Sequence, residues 1–261
     1  MEAQSLLGRL TEKLQGFTIE KVLRFEEIYD EQFHALKYLY EKLGNKVIFL
    51  GLVVLNALVS YRLNCVAERY WWEFARYFSM VKNISLENLP DYFIEFLNKS
   101  TCGSRLREQK ILRVKRSHDV IRRRINQINW LLKNQRTFML ELSEALNAKP
   151  SSKTIVFAIK MLNYALRIIT GQKIVAPMSI DIPLDSRIIK ISRVLKIKNP
   201  LEFWRRLSRK LGIPPLHLDS LLWIGLRIAP DIENLRKFLS DEKLVEFLLI
   251  MREIHDLIQH V

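Results

Sequence analysis

The sequence predicts an all-α fold of two helical subdomains, with a helix, a tight hairpin and a second helix at the cleft between them. Three observations predict it. Glycine and proline number only eight each in 261 residues, so breaks are few and far apart. Between those breaks apolar residues recur at helical spacing, and no strand-like alternation of any length is present. Apolar residues make up 49% of the chain and charged residues 27%, enough to bury a core and close to the globular average.

Taken in order, a first helix runs from about Glu2 to Gln15 and stops at Gly16. Thr18 is placed to cap a second, and a third carries Gln32 and His34 before Gly44 ends it. Val47–Tyr61 is the longest uncharged run, at 15 residues. A membrane span needs roughly 20 apolar residues, so this run predicts a buried core helix and no membrane partner. An aromatic-rich helix follows near Val66–Met80, holding Tyr70, Trp71 and Trp72, and Ser85 begins another with Tyr92, Phe93 and Phe96. The expected subdomains are residues 1–60 with 172–261, and residues 61–171.

Charge is uneven. The chain has 42 Lys and Arg against 28 Asp and Glu, a formal net charge of +14, which predicts attraction to a polyanion. Two blocks hold the surplus. Arg105 to Arg136 has eleven basic residues against Glu108 and Asp119, and Ser186 to Leu211 has nine against Glu202. Either they form a nucleic-acid footprint or they are solvated helix faces. Cys65 and Cys102 stand far apart without CxxC spacing, so the sequence predicts reduced cysteines and no cysteine-built metal centre. The five histidines show no metal-ligand spacing, and no metal or other cofactor is expected. Met1 to Gly16 has mixed charge and no apolar centre, so no signal peptide is read there and the expected location is the cytoplasm, at the nucleoid.

The hairpin lies near 137–169. TFMLELSEALN (137–147) forms a helix that Pro150 helps to end, because proline disfavours the helical conformation of the residue before it. Ser151 and Ser152 are placed to cap a second helix with Lys153 in its first turn. Ile155, Ile159, Leu162, Leu166 and Ile169 make its apolar stripe. Lys153, Phe157, Lys160 and Tyr164 fall on roughly the opposite side, which suits either a base pocket or an ordinary exposed face. Gly171–Pro183 is a long connecting loop, after which Asp185 is placed as the N-cap of a basic helix. Pro214 and Pro215 mark the start of a helix on which Asp219 and Trp223 share a face, as a first-turn charge and a core aromatic or as site residues.

These residues carry a resemblance. KTIVFAIKMLNYA, followed 32 residues after its lysine by the aspartate of DIPLDSR, is similar to the archaeal 8-oxoguanine DNA glycosylases, the AGOG branch of the helix-hairpin-helix glycosylases. LNALVSYRL with the aromatic cluster behind it (Leu55 to Phe74) and GIPPLHLDSLLW (Gly212 to Trp223) resemble the same family in the same order. Lys149-Pro150-Ser151-Ser152 replaces the Gly-rich hairpin usual in the superfamily. The resemblance implies a bifunctional glycosylase and lyase acting on 8-oxoguanine in double- or single-stranded DNA, as a monomer. It implies Lys153 as Schiff-base nucleophile and Asp185 as catalytic carboxylate, with Gln32, Trp71, Phe157, Lys160, Asp219 and Trp223 around the extruded base.

The residue types fit that chemistry. A base must leave the stack before its sugar carbon can be attacked, and stacking on Phe157 and Trp223 would return about 1–3 kcal/mol of the cost. The lesion carries a proton on N7 where guanine has an acceptor, so a buried acceptor such as Gln32 or Asp219 would discriminate. An amine attacks only when neutral, and partial burial, a helix N-terminus and Lys149 or Lys160 nearby would favour that form of Lys153. Two other readings suit the residues: a glycosylase of this fold for another lesion, and a non-enzymatic helical DNA-binding protein that needs only the basic blocks.

Overall fold

A computed structural model describes residues 2–236, 239 and 241–260. The helices in chain order are α1 (Glu2–Leu14), α2 (Ile19–Tyr29), α3 (Glu31–Leu43), α4 (Lys46–Val59), α5 (Ala67–Met80), α6 (Leu89–Lys99), α7 (Arg107–Arg124), α8 (Ile128–Lys133), α9 (Gln135–Ala145) and α10 (Lys153–Thr170). The loop 171–185 then leads to α11 (Ser186–Val194), α12 (Pro200–Leu211), α13 (Pro215–Ile228), a 3₁₀ turn at Ala229–Asp231, α14 (Ile232–Leu235) and α15 (Glu242–Gln259). No strand occurs among the described residues, as the spacing predicts, and none of their helices is long and apolar enough to cross a membrane.

Most starts and stops follow the capping chemistry read from the sequence. Thr18 accepts a hydrogen bond from the Lys21 amide at the head of α2, and Gly171, at φ +66°, ends α10 in a left-handed turn. One start differs. Ser85 does not open α6; the Ser85 amide donates to Asn88 Oδ1 at 2.7 Å, and the Asn88 amide donates back to Ser85 Oγ. That closed turn delays the helix until Leu89.

The chain clusters into two compact units, residues 1–30 with 178–261 and residues 31–177. These boundaries differ from the expected 60 and 171. The reason is α4, whose residues from Ile48 to Val59 are all buried. A helix that is apolar on every side must be surrounded, and α4 is surrounded by α3, α6, α7 and α10. Helices α3 and α4 therefore belong with the middle of the chain, and they bring Gln32 with them.

Within the unit 31–177, the strongest helix pairing is α4 with α10, and α3 packs on both α5 and α10. Phe74, Phe78, Phe93 and Phe96 form a fully buried aromatic cluster from α5 and α6. The cysteines overturn the expectation of free thiols: Cys65 and Cys102, 37 residues apart, form a disulfide with Cα atoms 5.2 Å apart. Local hydrogen bonding brings the two loops together. The Asn64 amide donates to the Cys102 carbonyl and its side chain to Ser104 Oγ, while the Glu73 carboxylate on α5 accepts from Ser100 Oγ and the amides of Thr101 and Cys102. No pattern in the sequence encodes that meeting.

In the other unit, α1 and α13 pack on α15, α2 and α12 on α13, and α11 on both α13 and α15. Gly225 sets the approach of α13 to α15, since a Cβ there would lie 2.9 Å from the Phe247 ring. His217 of α13 and Glu26 of α2 form a buried pair, Nδ1 to Oε1 2.8 Å.

Candidate active site

Lys153 opens α10 and is exposed. The break before it falls where the sequence predicts, but its capping differs. Asn147 adopts φ +47° after α9, and the Ala148 amide donates to the Ser143 carbonyl at 2.8 Å, a Schellman-type stop with asparagine in the glycine position. Ser152 takes the N-cap position, but its side chain makes no capping bond. The exposure of Lys153 also departs from the partial burial expected of it, because Ile155 and Val156 take the buried side of that turn.

The face below Lys153 is not an ordinary exposed one. Phe157 is half-buried, and Lys160 and Tyr164 are buried at 3% and 1% exposure. Helix α3 covers this side: Phe33 meets Tyr164 edge-on at 5.3 Å, and the Arg167 guanidinium lies 5.2 Å from the Phe33 ring centre. Gln32, one residue before Phe33, is buried at 2% exposure. Trp71 of α5 is fully buried and meets Phe157 edge-on, with centroids 6.0 Å apart. Its indole N–H is buried and finds no acceptor among the described residues. A donor left so costs roughly 1–3 kcal/mol, which is tolerable where a ligand supplies the acceptor. The neighbouring Trp72 differs, donating to Glu31 at 3.0 Å. Thus α3, α5 and α10 carry Gln32, Trp71, Phe157 and Lys160 within one unit.

Asp185, Asp219 and Trp223 belong to the other unit. Asp185 is the N-cap of α11, and a single oxygen, Oδ1, accepts from the amides of both Arg187 and Ile188 at 2.9 Å. Its second oxygen receives no hydrogen bond from the described residues, so capping leaves half the carboxylate for other work. Asp219 and Trp223 are buried one turn apart on α13. The Arg187 guanidinium lies 4.2 Å from the centre of the Trp223 ring. Arg187 therefore links the capped Asp185 to Trp223, through its amide on one side and its side chain on the other. Sequence reasoning missed it; its place two residues after an N-cap aspartate was the available sign.

The basic blocks divide between internal and exposed roles. In the first, Lys110 is buried and donates to the Gly103 carbonyl at 2.8 Å. Burial, with the charge of Arg105 beside it, pushes its pKa down to about 8. Arg124 makes a bidentate pair with Glu141, 2.6 Å at its shortest, and lies over the Trp130 ring. Arg105, Lys115, Arg116, Arg122, Arg123, Lys133 and Arg136 remain exposed. In the second, Arg205 pairs with Asp181, while Lys190, Arg193, Lys196, Lys198, Arg206, Arg209 and Lys210 are exposed. Among the described residues, no group of three His, Cys, Asp or Glu is placed to hold a metal ion.

Comparison with known proteins adds a separate line. Residues 11–253 match the model of the AGOG family, described as N-glycosylase/DNA lyase. An N-glycosylase/DNA lyase of Thermococcus kodakarensis is 36% identical over 240 residues, covering 91% of this chain and 90% of that protein. A second, from Methanococcus maripaludis, is 36% identical over 219 residues, covering 83% and 86%. Among solved structures, the 8-oxoguanine DNA glycosylase of Pyrobaculum aerophilum, crystallised with 8-oxoguanosine, superposes with a TM-score of 0.77 at 29% identity, covering 94% of this chain and 96% of that one.

Proposed function

The chain belongs to the AGOG family of N-glycosylase/DNA lyases, and from that membership we propose that it excises 8-oxoguanine from DNA through an imine on Lys153 and cuts the abasic strand by β-elimination. The course of α10 carries this reading. An exposed amine in its first turn is followed, at spacings of four and three, by the half-buried ring of Phe157 and the buried side chain of Lys160. A reactive group open to a sugar stands above groups suited to hold a base. In this reading α9, its turn and α10 are the helix-hairpin-helix.

Of the aromatic faces that the resemblance assigns to the extruded base, Phe157 is half-buried on α10 and Trp223 buried on α13, and such a face returns part of the cost of unstacking. The Trp71 indole N–H, short of an acceptor in the free protein, donates to a carbonyl of the base. Gln32 and Asp219 carry acceptor oxygens of the kind that tells the lesion from guanine, which has no proton on N7 to match one.

The Lys153 amine attacks C1′ as the glycosidic bond breaks, and the base departs with the bonding electrons and takes up a proton. The free oxygen of Asp185 stabilises positive charge on the sugar and accepts the proton that the attacking nitrogen sheds. Opening of the sugar gives the imine. Loss of a C2′ proton then expels the 3′ phosphate, and water releases the lysine.

The test is borohydride trapping on a duplex with one 8-oxoguanine. Wild type should give a covalent adduct and Lys153→Gln none; an adduct of wild-type yield from that variant would refute the assignment. Asp185→Asn should bind the lesion, since asparagine also caps a helix, yet cleave at least 100-fold more slowly. Gln32→Ala should weaken the preference for lesion over guanine more than it weakens binding to undamaged duplex.

A further inference from the structure

Beneath the first turn of α10 sits a guanidinium that the proposed reaction does not use. Arg113 of α7 donates from Nε to the Leu58 carbonyl, in the last turn of α4, at 3.0 Å. It donates from Nη2 to Thr154 Oγ1 at 2.9 Å, and it lies 5.7 Å from the Tyr61 ring centre. The group is part-buried, and burial depresses its pKa. Among the described residues no carboxylate pairs with it. A buried cation without a counter-ion is costly, so retaining one needs a reason other than ion pairing.

Thr154 follows Lys153 directly. The bond from Arg113 is the one side-chain hydrogen bond that reaches residues 152–156 among the described residues, since the Ser152 side chain makes no capping bond. Helices begin with unsatisfied amides and fray there unless something secures them. Here the usual cap is missing, and the turn that bears the exposed lysine is secured from outside. The anchor is firm at its other end: α4 is buried along its length, and both α7 and α10 pack on it.

We propose that Arg113 is a positioning residue, fixing the Lys153 turn to the end of α4 through Thr154. The inference rests on Lys153 being the nucleophile. Misplacement of a reacting group by about 1 Å costs roughly 100-fold in rate, whereas the stacking faces proposed for the base, Phe157 and Trp223, lie outside this turn. Loss of the tie should therefore slow imine formation and leave lesion affinity nearly unchanged.

The experiment is a single-turnover borohydride-trapping series with lesion affinity measured in parallel. Thr154→Val keeps shape and removes the acceptor; trapping should slow about 10- to 100-fold with affinity changed less than about threefold. Thr154→Ser restores the acceptor and should recover at least half the wild-type rate. Arg113→Gln should resemble Thr154→Val. Arg113→Lys keeps the charge but cannot serve both acceptors in the same geometry, so it should fall between Arg113→Gln and wild type. Thr154→Val trapping at the wild-type rate would overturn the proposal, as would Thr154→Ser being as slow as Thr154→Val. Equal losses of rate and affinity in Thr154→Val would overturn it too, showing a general structural role. Lys153→Gln is run alongside: an adduct from it refutes the nucleophile itself, a failure separate from that of the tie.

Discussion

Reducing the Cys65–Cys102 bond, or replacing both residues by serine, should lower stability without lowering activity. The link closes a span of 37 residues, and the chain-entropy relation for a loop of that size gives about 4 kcal/mol at 25 °C. The native loops should keep their conformation after reduction. Glu73 accepts from Ser100, Thr101 and Cys102, and Asn64 holds the facing segment, so the effect falls on the unfolded chain. Both cysteines lie in the unit 31–177. With typical unfolding entropies, 4 kcal/mol lowers the melting temperature by roughly 7 °C if the chain melts as one, and by roughly 12 °C if that unit melts alone. Calorimetry of the oxidised protein, the reduced protein and the double Cys→Ser variant reads this, with lesion trapping measured at 25 °C on each. A drop under 2 °C in the variant would refute the entropic reasoning. A loss of trapping at 25 °C in a folded variant would show that the bond shapes the pocket beside α5.

Lys110 makes stability depend on pH. Its folded pKa of about 8 lies below the usual 10.5, so between those values the unfolded chain binds more protons and stability rises with pH. Wild type should gain about 2 kcal/mol from pH 7.5 to 9.5, read by urea unfolding, and Lys110→Met should lose that gain; parallel curves would refute it. His217→Leu removes one hydrogen-bond partner of buried Glu26 and should cost about 1–3 kcal/mol in the same assay, a change under about 0.5 kcal/mol counting against the pair. Gly225→Ala forces a Cβ against Phe247 and should cost about 1–3 kcal/mol, with a neutral result showing that α13 and α15 can part freely. Arg122→Gln with Arg123→Gln should flatten the salt dependence of duplex binding by up to about 2 units of log–log slope; an unchanged slope would place DNA away from the exposed side of α7.

What was legible in the sequence follows the range of the forces involved. Helix starts set by one or two residues were readable: Thr18 before α2, Asp185 before α11, Pro214 and Pro215 before α13. The uncharged run 47–61 was readable as a core helix, and residues 48–59 of it are buried in α4. Its neighbours were not. Which helices surround α4 depends on packing across distant segments, so a division drawn at residue 60 separates α3 and Gln32 from α5 and α10, on which α3 packs. The disulfide was hidden for the same reason. Neither cysteine carries a motif, and only the Asn64 and Glu73 contacts bring them together. Of the residues proposed for the site, Lys153 and Asp185 stand at local turns, whereas Gln32, Trp71 and Lys160 lie on three separate helices, α3, α5 and α10, and were accessible only through family resemblance. Arg113 and Arg187 belong to basic blocks, where a sum of charge cannot tell an internal tie from a solvated side chain.

That sorting of charge changes what the basic surplus means. Lys110, Arg113, Arg124 and Arg205 make internal hydrogen bonds, to a carbonyl, to Leu58 and Thr154, and to carboxylates, so their charge is engaged within the protein. The exposed remainder still exceeds the acidic residues of both blocks, and that excess is what a polyanion meets. The two explanations weighed for the blocks are therefore not rivals at the level of the block; they apply to different residues within it. The same holds for Asp185. Capping and catalysis compete as accounts of a carboxylate only if both oxygens cap, and here Oδ1 takes both amides. The cap fixes the carboxylate and leaves one oxygen open, which is what the role proposed for Asp185 asks of it.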